Sequence, residues 1–239
     1  MPIERIDKIL VSQGIGSRKE VKSRIKSGEV AVDGKILRDS AQKIDPENQN
    51  ITVCGEELHF RRYLYLMMNK PKGVLSASRD TRQQTVLDLI PQKWYRKGLF
   101  PAGRLDIDTV GLIIITDDGE FAHKMLSPKK KVYKRYEAVV DGMVTEKEQE
   151  QFREGIEFLD GTVCLPAELL IRKSAKQSEV TIEICEGKFH QIKKMFLAVG
   201  MKVLFLKRVQ IGKLRLDPHL KEGECRELTQ EEICQIFLL

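Results

Sequence analysis

One acidic segment, residues 103–119, contains the side chains best suited to chemistry. It reads GRLDIDTVGLIIITDDG, in which four Asp surround a run of apolar residues. An ionised carboxylate can attack an electrophilic carbon or stabilise positive charge that develops on a sugar. Asp106 has no evident local structural role and is a candidate catalytic group, with a loop carboxylate paired to Arg104 as the alternative. Because residues i and i+2 of an extended segment point to opposite faces, Asp106 and Asp108 are not expected to act together.

Signatures of other chemistries are missing from the chain. It has no G-x-S-x-G, H-E-x-x-H or P-loop pattern, and its four His are dispersed. Its five Cys form no C-x-x-C pair, so neither a disulfide framework nor a zinc site is indicated. Charges occur throughout the first 30 residues, and no apolar run approaches the ~20 residues that span a bilayer. We therefore expect a soluble cytoplasmic protein.

The strands that must position Asp106 can be predicted from periodicity. The apolar run at residues 112–115 indicates a buried strand directly after this carboxylate. Residues 133–140 and 178–185 alternate with period two, as half-buried strands do. Together they predict an α+β fold with a mixed, mainly antiparallel sheet.

Helices are predicted on either side of these strands. Residues 188–200 place apolar side chains at helical spacing and predict a helix that ends at Gly200. The five Glu between residues 146 and 157 are expected to form a solvated helix face. Asp117 and Asp118 come before another helical pattern and are interpreted as turn and cap residues.

A small α/β module is predicted at the start of the chain. Two short helices are indicated, the second with Ser17 as its N-cap and Gly28 as its stop, and a hairpin turns at residues 33–34. A new strand pattern follows this module. The predicted domains are therefore residues 1–60, a small α/β module, and residues 61–239, an α+β domain.

Positive charge is segregated along the chain. Lys and Arg total 41 against 35 Asp and Glu, a net charge of +6. The excess lies in residues 17–26, in residues 129–136, and in residues 188–216, which contain eight basic residues and no acid. Aromatic residues interleave with these charges, a pattern that suits single-stranded or looped RNA; the alternative is that the aromatics are core and the lysines solvate. The candidate RNA contacts of the first stretch are Arg18, Lys19 and Lys22.

Four segments, in order along the chain, resemble the signature of RNA pseudouridine synthases of the RsuA/RluA superfamily. They are MMNKPKGVLSA (67–77), GRLDIDTVGLIIITDDG (103–119), KRYEAVV (134–140) and EGKFHQIKKMFLAVG (186–200). The first sixty residues resemble an S4 RNA-binding domain. The resemblance covers essentially the whole chain and implies an S4 module followed by a pseudouridine synthase domain.

The resemblance also implies roles for single residues. Asp106 matches the catalytic Asp, and Arg104 matches an Arg implicated in filling the space of a flipped nucleotide. Lys193 matches the basic residue that pairs with the catalytic carboxylate.

Two further residues are implied to contact the target base. Tyr136 matches the Tyr that stacks on it, and Ile192 matches a residue that lines the site. Tyr133 also fits the K-x-Y pattern, but the strand of the family continues from Tyr136, and Tyr133 is expected to point to the other face.

The activity implied is isomerisation of a specific uridine to pseudouridine in ribosomal RNA. The segment HQIKKMF is similar to the branch that acts on small-subunit 16S RNA, and the alternatives are large-subunit RNA or a non-catalytic assembly factor that retains the fold. The expected partner is ribosomal RNA, in a pre-ribosomal particle, and the protein is expected to be a monomer. No membrane, metal or cofactor is implied.

Overall fold

The computed structural model describes residues 3–238, which form two compact units. The first unit runs to Tyr63 and also includes Pro91–Leu99, whereas the second contains Leu64–Ile90 and the chain from Phe100 onward. The division into domains 1–60 and 61–239 stays a prediction of the sequence. No helix among residues 3–238 is both long and apolar enough to cross a membrane.

The first unit contains two helices and two small antiparallel sheets. Its elements are β1 (Glu4–Arg5), α1 (Ile6–Ser12), α2 (Arg18–Ser27), β2 (Val30–Val32), β3 (Lys35–Ile36), β4 (Lys43–Ile44), β5 (Ile51–Val53) and β6 (Glu56–Glu57). One sheet has the order β3-β2-β5-β6, and the other pairs β1 with β4. Apolar residues of both helices, among them Ile9, Leu10 and Ile25, are fully buried against β2 and β5 residues.

Local sequence signals set the ends of α2 and the hairpin after it. Ser17 caps the helix in a reciprocal capping box with Glu20, and Gly28 ends it at φ 84°. The β2–β3 turn places Asp33 and Gly34 at positive φ, 49° and 76°, as a tight hairpin requires. The predicted cap, stop and turn are confirmed.

The second unit is built on a nine-stranded sheet. Its elements are β7 (Tyr65–Lys70), β8 (Phe100–Ala102), β9 (Val110–Thr116), α3 (Gly119–Leu126), β10 (Lys134–Asp141), α4 (Glu146–Glu154), β11 (Glu168–Lys173), β12 (Gln177–Ile184), α5 (Gln191–Ala198), β13 (Lys202–Ile211), β14 (Leu214–Arg215), β15 (Cys225–Glu227) and α6 (Gln230–Gln235). The main order is β11-β12-β10-β13-β9-β7-β15, and β8 and β14 pair with β9 and β13. Every pairing is antiparallel except that of β13 with β9, so the predicted α+β fold with a mainly antiparallel sheet is confirmed.

The predicted strands and caps occur where the patterns indicated. All seven residues of β9 are buried, and β10 alternates buried and more exposed residues. Asp118 caps α3 by accepting a hydrogen bond from the amide of Phe121. The solvated Glu face is wrong at two positions. Glu148 is buried, and its carboxylate accepts hydrogen bonds from the amide and hydroxyl of Thr145 at the start of α4. Glu157 lies beyond the end of this helix at Glu154.

Helix α5 is held against the sheet by its apolar side. Ile192, Met195 and Phe196 are buried, and the ring of Phe196 lies 5.0 Å from that of Phe152 on α4. Gly200 follows the helix at φ 79°, which confirms the predicted stop. The buried side fixes the rotation of α5 and therefore the direction in which its polar residues point.

The close approach of β9 to β13 depends on Gly111. Its φ is +99°, and a Cβ atom added there would lie 2.3 Å from the carbonyl oxygen of Arg208. We predict that Gly111→Ala lowers the free energy of unfolding by at least about 2 kcal/mol, because it adds backbone strain and a clash with backbone. Urea denaturation would measure this loss. Gly119→Ala is the matched control, since a Cβ there meets nothing within 4 Å; equal losses in both variants would contradict the prediction.

Candidate active site

One cleft of the second unit brings together distant parts of the chain. It lies between the loop that precedes β9, strands β10 and β12, and the segment that leads into α5, and it contains about 440 Å³ of space, including its open mouth. The sequence-predicted residues that line it are Arg104, Asp106, Tyr136, Ile192 and Lys193.

Lys193 joins helix α5 to the acidic loop. Its Nζ lies 3.0 Å from Oδ2 of Asp106 and 2.5 Å from Oδ1 of Asp108. The chain turns here, with the Thr109 amide donating to the Asp106 carbonyl at 3.1 Å. The expectation that Asp106 and Asp108 point to opposite faces is therefore wrong: the segment is a turn rather than extended, and both carboxylates contact one ammonium. Asp106 pairs with Lys193 and not, as the alternative had it, with Arg104.

Burial and pairing oppose one another at this ion cluster. Burial alone would lower the pKa of Lys193, but hydrogen bonds to Asp108 and Asp106 outweigh it and raise that pKa above its ordinary value. Burial likewise acts to raise the pKa of Asp108, and the hydrogen bond from Lys193 reverses the shift. Lys193 therefore carries its positive charge at neutral pH beside the candidate catalytic carboxylate.

His190 is a site residue that the sequence interpretation missed. Its Nε2 lies 3.5 Å from Oδ1 of Asp106, and its ring stacks on Phe189 with centroids 3.8 Å apart. The backbone of His190 is left-handed at φ 54°, just before the first residue of α5. The available signal was its place beside Lys193 in the motif HQIKKMF; nothing in its spacing indicated a contact with residues 103–119.

Lys70 holds the backbone of the acidic loop and was also missed. Its side chain is fully buried, and its Nζ donates to the carbonyl oxygens of Pro71 (3.1 Å), Asp106 (3.2 Å), Ile107 (3.4 Å) and Thr109 (2.9 Å). Burial lowers the pKa of this lysine to about 8. A buried ammonium that binds several carbonyl dipoles fixes the turn that presents Asp106.

Tyr136 lies in the cleft next to two buried cations, Lys134 and Arg208. The ring is 7% exposed, and Nη1 of Arg208 is 3.5 Å from its hydroxyl. The Arg208 Nε donates to the Leu112 carbonyl at 2.7 Å. Burial, followed by the charge of Arg208, lowers the pKa of Lys134 to about 8. Tyr133, the other K-x-Y match, is 42% exposed and does not line this cleft.

The remaining predicted residues differ in their surroundings. Ile192 is 4% exposed and forms part of the apolar wall. Arg104 is exposed at the cleft, with no ion-pair partner among residues 3–238. The S4-type candidates, which lie exposed on α2 of the first unit, are Arg18, Lys19 and Lys22.

The arrangement can support chemistry on a planar, uncharged ring attached to a sugar. An aromatic ring and apolar side chains can stack on such a ring, while an ionised carboxylate with a fixed counter-charge can attack carbon or stabilise a developing cation. Within residues 3–238, no three His, Cys, Asp or Glu side chains are grouped as metal ligands.

Family comparisons agree with this class of site. Residues 64–198 match the sequence model of RNA pseudouridylate synthases, and residues 4–50 match that of the S4 domain. The chain belongs to the RNA pseudouridylate synthase family and carries an S4 domain at its N-terminal side.

Individual relatives are similar over nearly the full length. An uncharacterised RNA pseudouridine synthase of Bacillus subtilis, YtzG, is 46% identical over 96% of both chains. The ribosomal small subunit pseudouridine synthase A of Vibrio cholerae is 40% identical over 98% of this chain and 99% of its own. A solved pseudouridylate synthase superposes with a TM-score of 0.68 at 34% identity, covering 98% of this chain and 99% of that one.

The buried Lys70 predicts a pH dependence of stability. Its pKa is about 8 in the folded protein against 10.5 ordinarily, so between these values the unfolded chain binds more protons. The free energy of unfolding should therefore rise with pH across this window, with Lys70 contributing about 3 kcal/mol of the rise.

Lys70→Met should reduce this rise by about 3 kcal/mol and leave the share of Lys134, whose pKa burial also lowers to about 8. Urea denaturation at several pH values between 8 and 10.5 would measure the change. Lys147→Met, at an exposed lysine on α4, is the control and should leave the wild-type profile intact. Parallel profiles for wild type and Lys70→Met would show that Lys70 is not the buried titrating group.

Proposed function

We propose that the protein isomerises a specific uridine of small-subunit 16S ribosomal RNA to pseudouridine, with Asp106 as the catalytic carboxylate. The observation that carries this proposal is the ion pair between Asp106 and Lys193 in the cleft that Tyr136 also lines. A protein that only bound RNA would gain nothing from a carboxylate beside a polyanion. The proposal therefore favours an enzyme over a non-catalytic assembly factor.

The target uridine must leave the RNA stack before a side chain can reach its glycosidic bond. Stacking on Tyr136 would replace the lost base stacking, and Ile192 would supply an apolar contact in the same cleft. Arg104, exposed at the cleft, has the reach and charge to occupy the vacated space in the RNA. Tyr136, Ile192 and Arg104 would thus bind and position the extruded nucleotide, and the chemical step is left to Asp106.

Asp106 would act on the extruded nucleotide in its ionised form. The C1′–N1 bond breaks, the uracil turns, and a C1′–C5 bond forms, while C5 loses a proton and N1 gains one. No electron is transferred and no water is consumed overall, so the chain's own residues suffice for the chemistry. The ammonium of Lys193, 3.0 Å from Oδ2 of Asp106, gives this carboxylate a counter-charge in a partly buried cleft.

The RNA target is inferred from likeness along the whole chain. The relative from Vibrio cholerae that is named for the small subunit aligns over 98% of this chain, including the S4 domain. We propose that Arg18, Lys19 and Lys22 contact ribosomal RNA through that domain, and that the protein acts as a monomer on a pre-ribosomal particle in the cytoplasm.

Mapping pseudouridines in ribosomal RNA from strains with and without the gene tests the proposed target. We expect one 16S site to disappear in the deletion strain and to return when the wild-type gene is restored. Loss of a 23S site instead would assign the enzyme to large-subunit RNA. An unchanged map of both RNAs would refute the proposed reaction on ribosomal RNA.

Asp106→Asn should abolish pseudouridine formation and leave RNA affinity within about threefold, because the change is nearly isosteric and removes only one charge. Tritium release from 5-³H-uridine RNA would measure turnover, and filter binding would measure affinity. Asp108→Asn is the matched control on the same turn and should retain more than about a tenth of the activity. Activity of Asp106→Asn above a few per cent of wild type would refute the catalytic assignment.

Lys193→Met should lower the single-turnover rate at least about 100-fold at neutral pH, because Asp106 loses its counter-charge in a partly buried site. Lys193→Arg should remain within about tenfold of wild type, since a guanidinium can pair with the same carboxylate. Lys194→Met is the control: its ammonium pairs with Asp160 at 3.0 Å and should affect RNA affinity at most. Equal rates for Lys193→Met and wild type would remove Lys193 from the site.

A further inference from the structure

The face of the sheet opposite Tyr136 carries a groove that the candidate active site does not use. Successive residues of β10 point to opposite faces, so Arg135 and Glu137 lie on the side away from Tyr136. Two adjoining clefts occur on that side, of about 970 and 760 Å³ including their open mouths, and they share Arg135, Gln210 and Arg215. We call the two together the back groove.

Charge in the back groove is predominantly positive. Its cations are Lys131, Arg135, Arg172, Lys207, Lys213 and Arg215, and its carboxylates are Glu137, Glu183 and Asp217.

Two of these carboxylates are already neutralised. Glu183 pairs with Arg135, and Asp217 accepts from Nε of Arg226 at 2.6 Å. Within the described chain, the other five cations have no carboxylate within ion-pair distance, and Glu137 is the one carboxylate of the lining left to oppose them. The acidic residues Glu168 and Glu179 of the outer strands do not line either cleft. The groove therefore has an uncompensated positive charge.

The fold assembles this charge from two separate stretches of sequence. Lys131 belongs to the basic run at residues 129–136, whereas Lys207 and Arg215 belong to the acid-free run at residues 188–216. The antiparallel pairing of β10 with β13 brings these runs side by side. Basic residues that are far apart in the sequence thus form one positively charged surface, on the face of the sheet opposite the active-site cleft.

An exposed aromatic ring completes the groove. Tyr133 lines the smaller cleft with Lys131 and Lys213, and it is 42% exposed. Cations that contact phosphates, next to an aromatic side chain on which a base can stack, are the usual features of a site for single-stranded RNA. An acidic protein surface could also pair with these cations, but its binding would not require an exposed aromatic ring among them.

We propose that the back groove binds an unpaired segment of the RNA substrate, with phosphates on Arg172, Lys207 and Arg215 and a base on Tyr133. The proposal rests on the proposed function only in taking RNA as the ligand, and it requires nothing of Asp106. The contacts are to backbone and to a ring face, so the groove adds affinity and orientation rather than base specificity. A substrate that reaches both faces of the sheet must pass around its edge.

The test compares two triple variants that remove the same charge. Arg172→Gln/Lys207→Gln/Arg215→Gln empties the groove of three cations, and Lys147→Gln/Arg153→Gln/Lys176→Gln removes three exposed cations that do not line it. Both sets are built in full-length protein that also carries Asp106→Asn, so that binding is measured without turnover. The probe is a 16S ribosomal RNA transcript, and Kd is measured by filter binding from 50 to 300 mM KCl.

The groove variant should bind at least about tenfold more weakly at 150 mM KCl and should reduce the slope of log Kd against log salt by about 2, the release expected for three single-strand phosphates. The control triple should stay within about twofold of its parent. With Asp106 restored, the groove variant should need at least about tenfold more RNA than wild type to reach half of its maximal single-turnover rate. Thermal melting of both triples verifies that they are folded.

Tyr133 supplies an independent second measurement. Tyr133→Ala should weaken binding about tenfold with an unchanged salt slope, and Tyr133→Phe should restore it, because stacking needs the ring and not the hydroxyl. Equal RNA affinity and salt slope for the groove and control triples would overturn the proposal. It would also be overturned if the groove variant kept its RNA affinity but lost binding to a protein of the small ribosomal subunit. Absence of turnover in the wild type would refute the proposed function and leave this binding test intact.

Discussion

The ammonium of Lys193 lies between two carboxylates of one turn, and the position of that turn depends on a second ammonium, Lys70, beneath it. The upper cation contacts side-chain charges, whereas the lower one contacts backbone carbonyl dipoles. Asp106 is thereby held from both sides, by its carboxylate and by its own carbonyl oxygen. Movement of the loop would separate paired charges in a partly buried site, so the geometry is preorganised before any RNA arrives.

Buried positive charge recurs under the aromatic wall of the same cleft. Lys134 and Arg208 are 4% and 3% exposed, and Nη2 of Arg208 has no hydrogen-bond partner among the described residues. Their donors go instead to main-chain oxygens of Cys185 and Leu112. Burying these two cations costs desolvation free energy, but each side chain bonds the backbone of a neighbouring segment. These bonds link the strands around Tyr136 and hold its backbone rigidly.

Elements with a strong local pattern could be predicted from sequence, and contacts between distant segments could not. The capping box at Ser17 and the alternation in β10 are encoded by neighbouring residues. Asp108 was misjudged because alternation was assumed where the chain turns. Lys70 was missed because the sequence does not distinguish a buried lysine from a solvated one. The carbonyl groups that bind its ammonium come mainly from a distant segment of the chain. His190 needed the left-handed backbone that aims its ring at the acidic loop.

Strand β13 serves two surfaces with one alternating row of side chains. Leu206 lines the cleft and Arg208 lies beneath Tyr136, while Lys207, between them, lines the back groove. Inserting or deleting one residue upstream of this trio would exchange the chemistry of the two faces. A change of one side chain in this trio therefore alters one face alone, whereas a change of length alters both.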